Sequence, residues 1–274
     1  MLVLRRLFRF YINASIHVAL AVVALYLVNV ASLNILVNYD LVCFLFLATI
    51  VCYNFVKYGV EAEKYLIVSK PSHRPIQVFS FLAFGACLYC FFKLSMQLWL
   101  VIAFLTLISG LYAIPLLPSS RNLRSLGGLK IFLVAAVWVG FTLVLPAVEH
   151  QLGFSKQLWL LGFQNFVLVL ILILPFEVRD LQYDTPDLKT LPQRFGIGKT
   201  KLIGYCLMLV YFLMTYLQDR VTLMVVLQQS LLCILLFFAL YFTKKRQHRY
   251  FSSFWVEGIP IAWALSIKLL KWVL

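Results

Sequence analysis

Charged side chains are scarce in this sequence, and acidic ones are the scarcest. Asp and Glu together supply only ten of the 274 residues, and all charged residues make up 12% of the chain, about half the share of a typical soluble domain. Apolar residues make up 63%, which is more than one water-soluble core buries. This balance excludes an ordinary soluble domain and predicts that lipid covers much of the surface. Because no segment is long or polar enough to fold separately, we expect one membrane domain over residues 1–274.

Three further features that the sequence lacks reduce the number of possible functions. No basic stretch lies outside a membrane-adjacent loop, so the net charge of +14 indicates topology and an anionic lipid or substrate rather than nucleic acid. No small-residue cleavage site follows Arg5, Arg6 and Arg9, so we expect this segment to be retained rather than removed as a signal peptide. The six cysteines lie in apolar runs, and Cys87 and Cys90 have no histidine or acidic neighbour, which predicts free thiols.

Long apolar runs recur throughout the chain. Each is long enough to cross about 30 Å of hydrocarbon as a helix, and helices are required because backbone polar groups find no water partners in lipid. The sequence therefore predicts an all-α, polytopic membrane bundle with about nine transmembrane helices. The expected spans are Ile12–Ala31, Asp40–Val56, Ile76–Phe92, Met96–Ile114, Leu129–Ala147, Gln157–Leu174, Leu202–Leu217, Val221–Phe242 and Phe254–Trp272.

The distribution of loop charge predicts the orientation. With the N-terminus in the cytoplasm, nine spans place 19 of the 24 basic residues on the cytoplasmic side and five on the other, as the positive-inside rule requires. We therefore expect a multi-pass protein with a cytoplasmic N-terminus. Its small size and short loops favour a bacterial inner membrane.

Four of the ten acidic residues, Glu177, Asp180, Asp184 and Asp187, lie within eleven positions at a membrane boundary. If the sixth span continues helically past Pro175, the first three are spaced i, i+3 and i+7 and share one helical face. Like charges this close repel each other unless a cation lies among them, and Mg²⁺ prefers carboxylate and phosphate oxygens. The cluster therefore fits a magnesium site that binds a diphosphate.

The same cluster has a simpler explanation, which is a solvated helix end whose acids are balanced by Arg179, Lys189 and Arg194. The spacing alone favours neither interpretation. Acidic residues buried inside a membrane bundle are usually functional, but burial is not established by the sequence.

The acidic segment also resembles a known motif. The stretch Arg179–Gly196 reads Arg-Asp-x-x-x-Asp and then Lys-Thr-Leu-Pro-x-x-x-Gly, which is similar to the second aspartate motif of the UbiA family of intramembrane prenyltransferases. His73–Pro75 resembles the Asn-Arg-Pro element of that family. In this sequence Tyr112, Arg121, Arg124 and Lys130 resemble the basic loop that follows the fourth span in that family.

The resemblance implies nine helices around a central cavity and Mg²⁺-assisted transfer of an isoprenoid chain. The isoprenoid would be transferred from a prenyl diphosphate to an aromatic or other lipophilic acceptor. By resemblance, Asp180 and Asp184 are the catalytic metal ligands, and Glu177 joins them at the metal. The implied diphosphate-binding residues are Asn54, Lys57, Arg74, Arg121, Arg124, Lys130 and Lys189.

The sequence departs from the family at the first motif, Asn-Asp-x-x-Asp-x-x-x-Asp. Asn54 fits this motif, but Phe55, Tyr58 and Ala62 stand where the aspartates are expected. Under one hypothesis a single Mg²⁺ suffices, and Lys57 supplies positive charge in place of the other metal. Under the other, the protein keeps the fold, has lost the reaction and binds a prenyl or anionic lipid.

Other classes fit the residues less well. A small transporter usually binds its substrate near the membrane midplane, whereas these acids lie at a membrane edge. A CDP-alcohol phosphatidyltransferase would need an Asp-Gly-x-x-Ala-Arg segment, which this sequence lacks, and a purely structural membrane protein stays open. One further acid, Glu257, begins the ninth expected span and is either a cavity acid or an interfacial residue paired with Arg249.

Overall fold

The computed structural model describes residues 2–59, 73–113, 127–185, 188–219 and 221–273, and every regular element within these ranges is helical. This confirms the all-α expectation. The helices are α1 (Leu2–Asn13), α2 (Ile16–Leu33), α3 (Tyr39–Asn54), α4 (Arg74–Lys93), α5 (Met96–Ala113), α6 (Lys130–Val139), α7 (Leu145–Glu149), α8 (Lys156–Asp180), α9 (Leu191–Met214), α10 (Leu223–Phe242) and α11 (Ile259–Val273). Wider π-helical turns extend α3 over Phe55–Gly59, join α6 to α7 over Gly140–Val144 and precede α11 over Phe251–Val256.

Seven helices in the described ranges are long and apolar enough to cross a membrane, which supports an integral, multi-pass membrane protein. They are Ile16–Leu33, Tyr39–Tyr58, Arg74–Lys93, Lys130–Glu149, Lys156–Asp180, Leu191–Leu217 and Leu223–Phe242. The fourth and ninth expected spans also coincide with helices. However, the apolar stretch of α5 is shorter, over Met96–Leu111, and α11 has 15 residues. The count of nine therefore stays a prediction.

The N-terminal segment forms a helix of its own, which the sequence analysis did not foresee. The first span was expected from Ile12, but α1 ends at Asn13 and α2 begins at Ile16. Ser15, between them, has a left-handed backbone with φ of 60°, so the two helices are not one continuous rod. Arginine and apolar residues alternate along α1 with helical spacing, and this pattern favours a separate amphipathic helix.

The long helix α8 lies inside the bundle. It continues past Pro175, as expected, and nearly every residue between Val167 and Leu174 is buried. This stretch packs in the main hydrophobic core with residues of α2, α6, α9, α10 and α11, while α2 also joins a second core with α3, α4 and α5. A helix that is apolar all round is buried on all sides, so the C-terminal end of α8 is held against other helices.

Contacts between helix ends gather the charged residues at one end of the bundle. The start of α2 meets the end of α3 through Ser15 and Asn54, and the start of α6 meets the end of α8 through Lys130 and Glu177. We call this end the charged face. The residues that define it are Tyr11, Ser15, His17, Asn54, Lys57, Lys130, Glu177, Arg179, Asp180, Asp184 and Glu257.

Candidate functional site

The start of α6 and the end of α8 form a buried ionic cluster. The Nζ atom of Lys130 lies 2.8 Å from Oε1 of Glu177 and 3.7 Å from Oδ2 of Asp184. The Glu177 side chain is 5% exposed and that of Asp184 is 17% exposed, so neither acid extends into bulk solvent. Because an isolated buried charge is costly, this pairing accounts for Lys130 at the first position of α6.

The last residue of α8, Asp180, has a different partner. Its Oδ1 accepts a hydrogen bond from Nε of Arg179 at 2.7 Å, and both side chains are about one-third exposed. The backbone N–H of Asp184 donates to the carbonyl oxygen of Asp180 at 2.9 Å. This bond continues the helical turn beyond α8 and keeps Asp184 on the side of Lys130, as the i, i+3, i+7 spacing predicts.

The expected Mg²⁺ site can be compared with these carboxylates. Oε2 of Glu177 and Oδ2 of Asp184 are buried and accept no hydrogen bond from the residues that the structure describes. Mg²⁺ is commonly bound by one or two carboxylates, with water and substrate phosphates completing its shell, so two such oxygens fit one ion. No group of three or more His, Cys, Asp or Glu side chains in the described ranges is placed to hold a metal. Asp180, the third expected ligand, is held by Arg179.

Lys57 lies in the π-helical turn after α3, at the position that the UbiA resemblance assigns to the first aspartate motif. Its Nζ donates to Oγ of Ser15 at 3.0 Å, and Ser15 Oγ donates in turn to Oδ1 of Asn54 at 2.8 Å. The Asn54 amide nitrogen donates to the carbonyl oxygen of Ala14 and to Oγ of Ser80. Asn54 is buried and its donors are used within the protein, so this residue positions Ser15 and Lys57 rather than contacting a ligand.

Glu257 lies near both Lys57, after α3, and Arg179, at the end of α8. Lys57 and Arg179 are the charged groups that act on its carboxylate. Burial raises the pKa of Tyr11, and the negative charge of Glu257 raises it further. The alternative pairing of Glu257 with Arg249 is not among the four ion pairs of the described residues. Glu257 therefore belongs to the charged face, and a role as a cavity acid stays a prediction.

The remaining expected phosphate ligands lie further out or outside the described ranges. Arg74 and Lys189 are exposed, while Arg121 and Arg124 are outside the described residues. His73–Pro75 begins α4, with proline in the first turn. Thr190 precedes α9, and its backbone N–H donates to Oε1 of Gln193 at 3.0 Å. These two motif-like segments thus have a structural role as helix starts.

An apolar cavity of about 570 Å³ lies between α2, α3, α4, α5 and α6. Its wall includes Phe55 and Val56, which directly precede Lys57, so the cavity reaches the turn that carries this ammonium. The wall also includes Tyr53, whose hydroxyl accepts a hydrogen bond from Nε1 of Trp138 at 3.1 Å. A volume of this size is typical of small-molecule sites. The cavity therefore suits the apolar part of an amphiphile whose polar end lies near Lys57.

Three residues of the charged face were not found from the sequence. Ser15 contacts both Lys57 and Asn54. Tyr11 Oη lies 2.7 Å from Nδ1 of His17, and Nε2 of His17 lies 2.8 Å from the carbonyl oxygen of Phe254. These contacts join residues as far apart as 17 and 254, and no local spacing predicts them.

Comparison of the chain with family models, curated proteins and solved structures finds no match. The fold and the apolar helices define the class as a multi-pass helical membrane protein with an ionic cluster at one end. The particular family is not established by these comparisons. Membership of the UbiA family stays a prediction from the residues quoted above.

Proposed function

We propose that this protein is a UbiA-like intramembrane prenyltransferase. It transfers an isoprenoid chain from a prenyl diphosphate to a lipophilic acceptor, and the reaction takes place at the charged face. We also propose that nine helices cross the membrane and that the charged face lies on the cytoplasmic side, since this arrangement satisfies the loop charges.

The observation that carries this proposal is an apolar cavity that ends at the turn carrying Lys57 of the charged face. A prenyl diphosphate likewise has an apolar part and a charged part, which are its hydrocarbon tail and its anionic head. The tail would occupy the cavity between α2 and α6, and the head would lie near Lys57 and Arg179. A transporter site at the membrane midplane would not need this polarity at one membrane edge.

The side chains of this protein would favour departure of the diphosphate. Lys57, held by Ser15, and Arg179, held by Asp180, place positive charge where the leaving oxygen gains negative charge. The allylic C–O bond breaks with its electron pair on the diphosphate, the acceptor forms the new bond to carbon, and the acceptor loses a proton. The apolar wall of the cavity excludes water from the reactive carbon.

Mg²⁺ belongs to the proposal as a cofactor held by Glu177 and Asp184. When bound, it would neutralise the diphosphate as a Lewis acid. The charge of the cluster supports this assignment, because Lys57, Lys130 and Arg179 face four acids, Glu177, Asp180, Asp184 and Glu257. An added cation would offset the acid charge when a diphosphate binds.

A second candidate is binding of a prenyl or anionic lipid without turnover. The observation that favours it is the missing first aspartate motif, together with the use of Asn54 inside a hydrogen-bond network. This candidate predicts saturable binding of prenyl diphosphate and no product with any acceptor.

The experiment is a prenyl-transfer assay on the purified protein, with a panel of aromatic and lipid acceptors, with Mg²⁺ or with EDTA. We expect product only with Mg²⁺, and an at least about hundredfold slower reaction for Asp184→Asn. Asp40→Asn is the matched control, because Asp40 forms its ion pair with Lys93 rather than with a residue of the charged face.

The outcomes separate the candidates. Binding without product for every acceptor would favour the second candidate. Activity of the wild type that survives EDTA would contradict the role of the metal, and the absence of both binding and transfer would contradict the prenyltransferase proposal itself.

A further inference from the structure

The first helix has two unlike faces and is not explained by the proposed function. Along α1, Arg5 and Arg9 are one turn apart and Arg6 lies beside them, while Val3 and Leu7 form an apolar stripe one turn long. The first turn of α1 holds no acidic residue. This is the pattern of an amphipathic interfacial helix.

Both stripes of α1 are open to the surroundings of the protein. Val3, Leu4 and Leu7 are 60% exposed or more, and Arg5, Arg6 and Arg9 are also exposed. None of the four ion pairs found among the described residues includes these arginines. One short helix thus exposes three cations and three apolar side chains, and the arginines have no ion-pair partner among the described residues.

Aromatic side chains on two sides of α1 fix the helix against its neighbours. The Phe8 ring packs edge-on against Tyr250 and Phe254, with ring centres 5.1 and 5.4 Å apart. The Phe10 ring packs against Phe79 of α4 at 5.5 Å. Tyr58, in the turn that carries Lys57, donates from its hydroxyl to the carbonyl oxygen of Asn13 at 3.1 Å. α1 therefore reaches from α4 to the segment before α11.

The position of α1 relative to the membrane follows from its neighbour. α2 is a candidate membrane span and begins at Ile16, three residues after α1 ends. The left-handed Ser15 breaks the helix at this boundary. The outer side of α1 is therefore at the height of the lipid headgroups of the leaflet at the charged face.

We propose that α1 is an interfacial cover that binds anionic phospholipid. Val3, Leu4 and Leu7 insert among the upper acyl chains, and Arg5, Arg6 and Arg9 bind headgroup phosphates. Basic residues near an anionic surface are each attracted by about 1 kcal/mol, or about fivefold in binding. Lipid binding thus holds α1 against the segment before α11, which the Phe8 ring contacts.

The test is hydrogen–deuterium exchange of the full chain in nanodiscs of phosphatidylcholine, with or without phosphatidylglycerol. The amides of residues 2–13 report on α1, and the amides of α8 serve as an internal reference for folding. We expect exchange in α1 to slow in the anionic discs by about fivefold for each arginine that binds lipid. The variant with Arg5→Gln, Arg6→Gln and Arg9→Gln should lose this difference.

Two further variants test whether the lipid effect depends on the arginines and the apolar side chains of α1. The variant with Lys244→Gln, Lys245→Gln and Arg246→Gln removes three exposed basic side chains outside α1 and should keep the lipid effect. Replacing Leu4 and Leu7 by Asn should speed exchange of α1 in both kinds of disc.

Equal exchange of α1 in both discs would overturn the proposal, as would a lipid effect that persists in the triple-glutamine variant. Protection that instead rises with protein concentration in detergent would assign the exposed stripe to a second copy of the chain and would overturn the lipid proposal.

Discussion

The Lys130 ammonium lies 2.8 Å from the Glu177 carboxylate, and both residues are buried. This pair joins the start of α6 to the end of α8 at the charged face. It also has Asp184 as a second, more distant acid, 3.7 Å from the same ammonium. The pair is thus a structural contact, and its acid, Glu177, is one of the two proposed metal ligands.

Removing one member of this pair should destabilise the protein strongly. We expect Lys130→Met to lower the free energy of unfolding by about 3–5 kcal/mol, because Glu177 is left buried without its partner. The double variant Lys130→Met with Glu177→Leu should recover most of this loss, since two apolar side chains replace the pair. Denaturant or thermal unfolding in detergent measures both.

Lys93→Met is the control for this prediction. Lys93 pairs with Asp40 at 3.3 Å, and both side chains are nearly half exposed, so we expect no measurable change. A Lys130→Met protein as stable as the wild type would show that the ionic contact between α6 and α8 is not needed in the folded protein.

Lys57 is predicted to act on the diphosphate. Lys57→Met should slow prenyl transfer about tenfold or more, because one charge-assisted contact to the leaving group is lost, whereas Lys57→Arg should retain most of the rate. Ser15→Ala should have a smaller effect, since the ammonium stays and the variant loses the hydrogen bonds of Ser15 Oγ to Lys57 and Asn54.

The measurement is the transfer rate at saturating prenyl diphosphate, with Lys244→Met as the control for removal of an exposed lysine. Equal rates for Lys57→Met and the wild type would rule out a role for this ammonium in the reaction.

The apolar cavity should determine which prenyl chains bind. Ala48 lines the cavity on α3, and Ala48→Trp should weaken binding of a long-chain prenyl diphosphate while leaving inorganic diphosphate binding unchanged. Cys43→Trp on the same helix is the matched control, because Cys43 is exposed and is not part of the cavity wall. A comparison of both ligands by calorimetry tests this, and equal effects of the two tryptophans would argue against the cavity as the tail site.

The two glycines at the start of α9 should respond differently to substitution. Gly196 has φ of 77° and ψ of 167°, a conformation almost restricted to glycine, so Gly196→Ala should destabilise the protein by about 1–3 kcal/mol. Gly198→Ala, two residues later in α9 with open space around it, should be neutral or stabilising by up to about 1 kcal/mol. Thermal unfolding of both variants measures the contrast, and equal melting temperatures would refute it.

The membrane helices were predictable because each apolar run is a local signal. Each of the seven membrane-length helices of the described ranges overlaps an expected span. Glu177 and Asp184 share the partner Lys130 because α8 continues past Pro175. The separate helix α1 was missed, although its arginine spacing at Arg5 and Arg9 was available. The apolar run from Ile12 masked the break at Ser15, which depends on a left-handed backbone.

The partners within the site were less predictable, because they depend on which helices pack together. Lys130 was expected to contact diphosphate, and its pairing with Glu177 requires α6 to lie beside α8. Likewise, Glu257 and Lys57 are 200 positions apart in the chain. Long-range contacts of this kind are set by tertiary packing, which residue spacing does not encode.

The most direct test is the affinity of the purified protein for a whole prenyl diphosphate and for its two halves. Calorimetry with geranylgeranyl diphosphate, inorganic diphosphate and geranylgeraniol, each with Mg²⁺, separates the contributions of the cavity and of the charged face. We predict that the whole molecule binds at least about tenfold more tightly than either half and that Asp184→Asn weakens it. Geranylgeraniol binding as tightly as its diphosphate, with no effect of Asp184→Asn, would contradict the account.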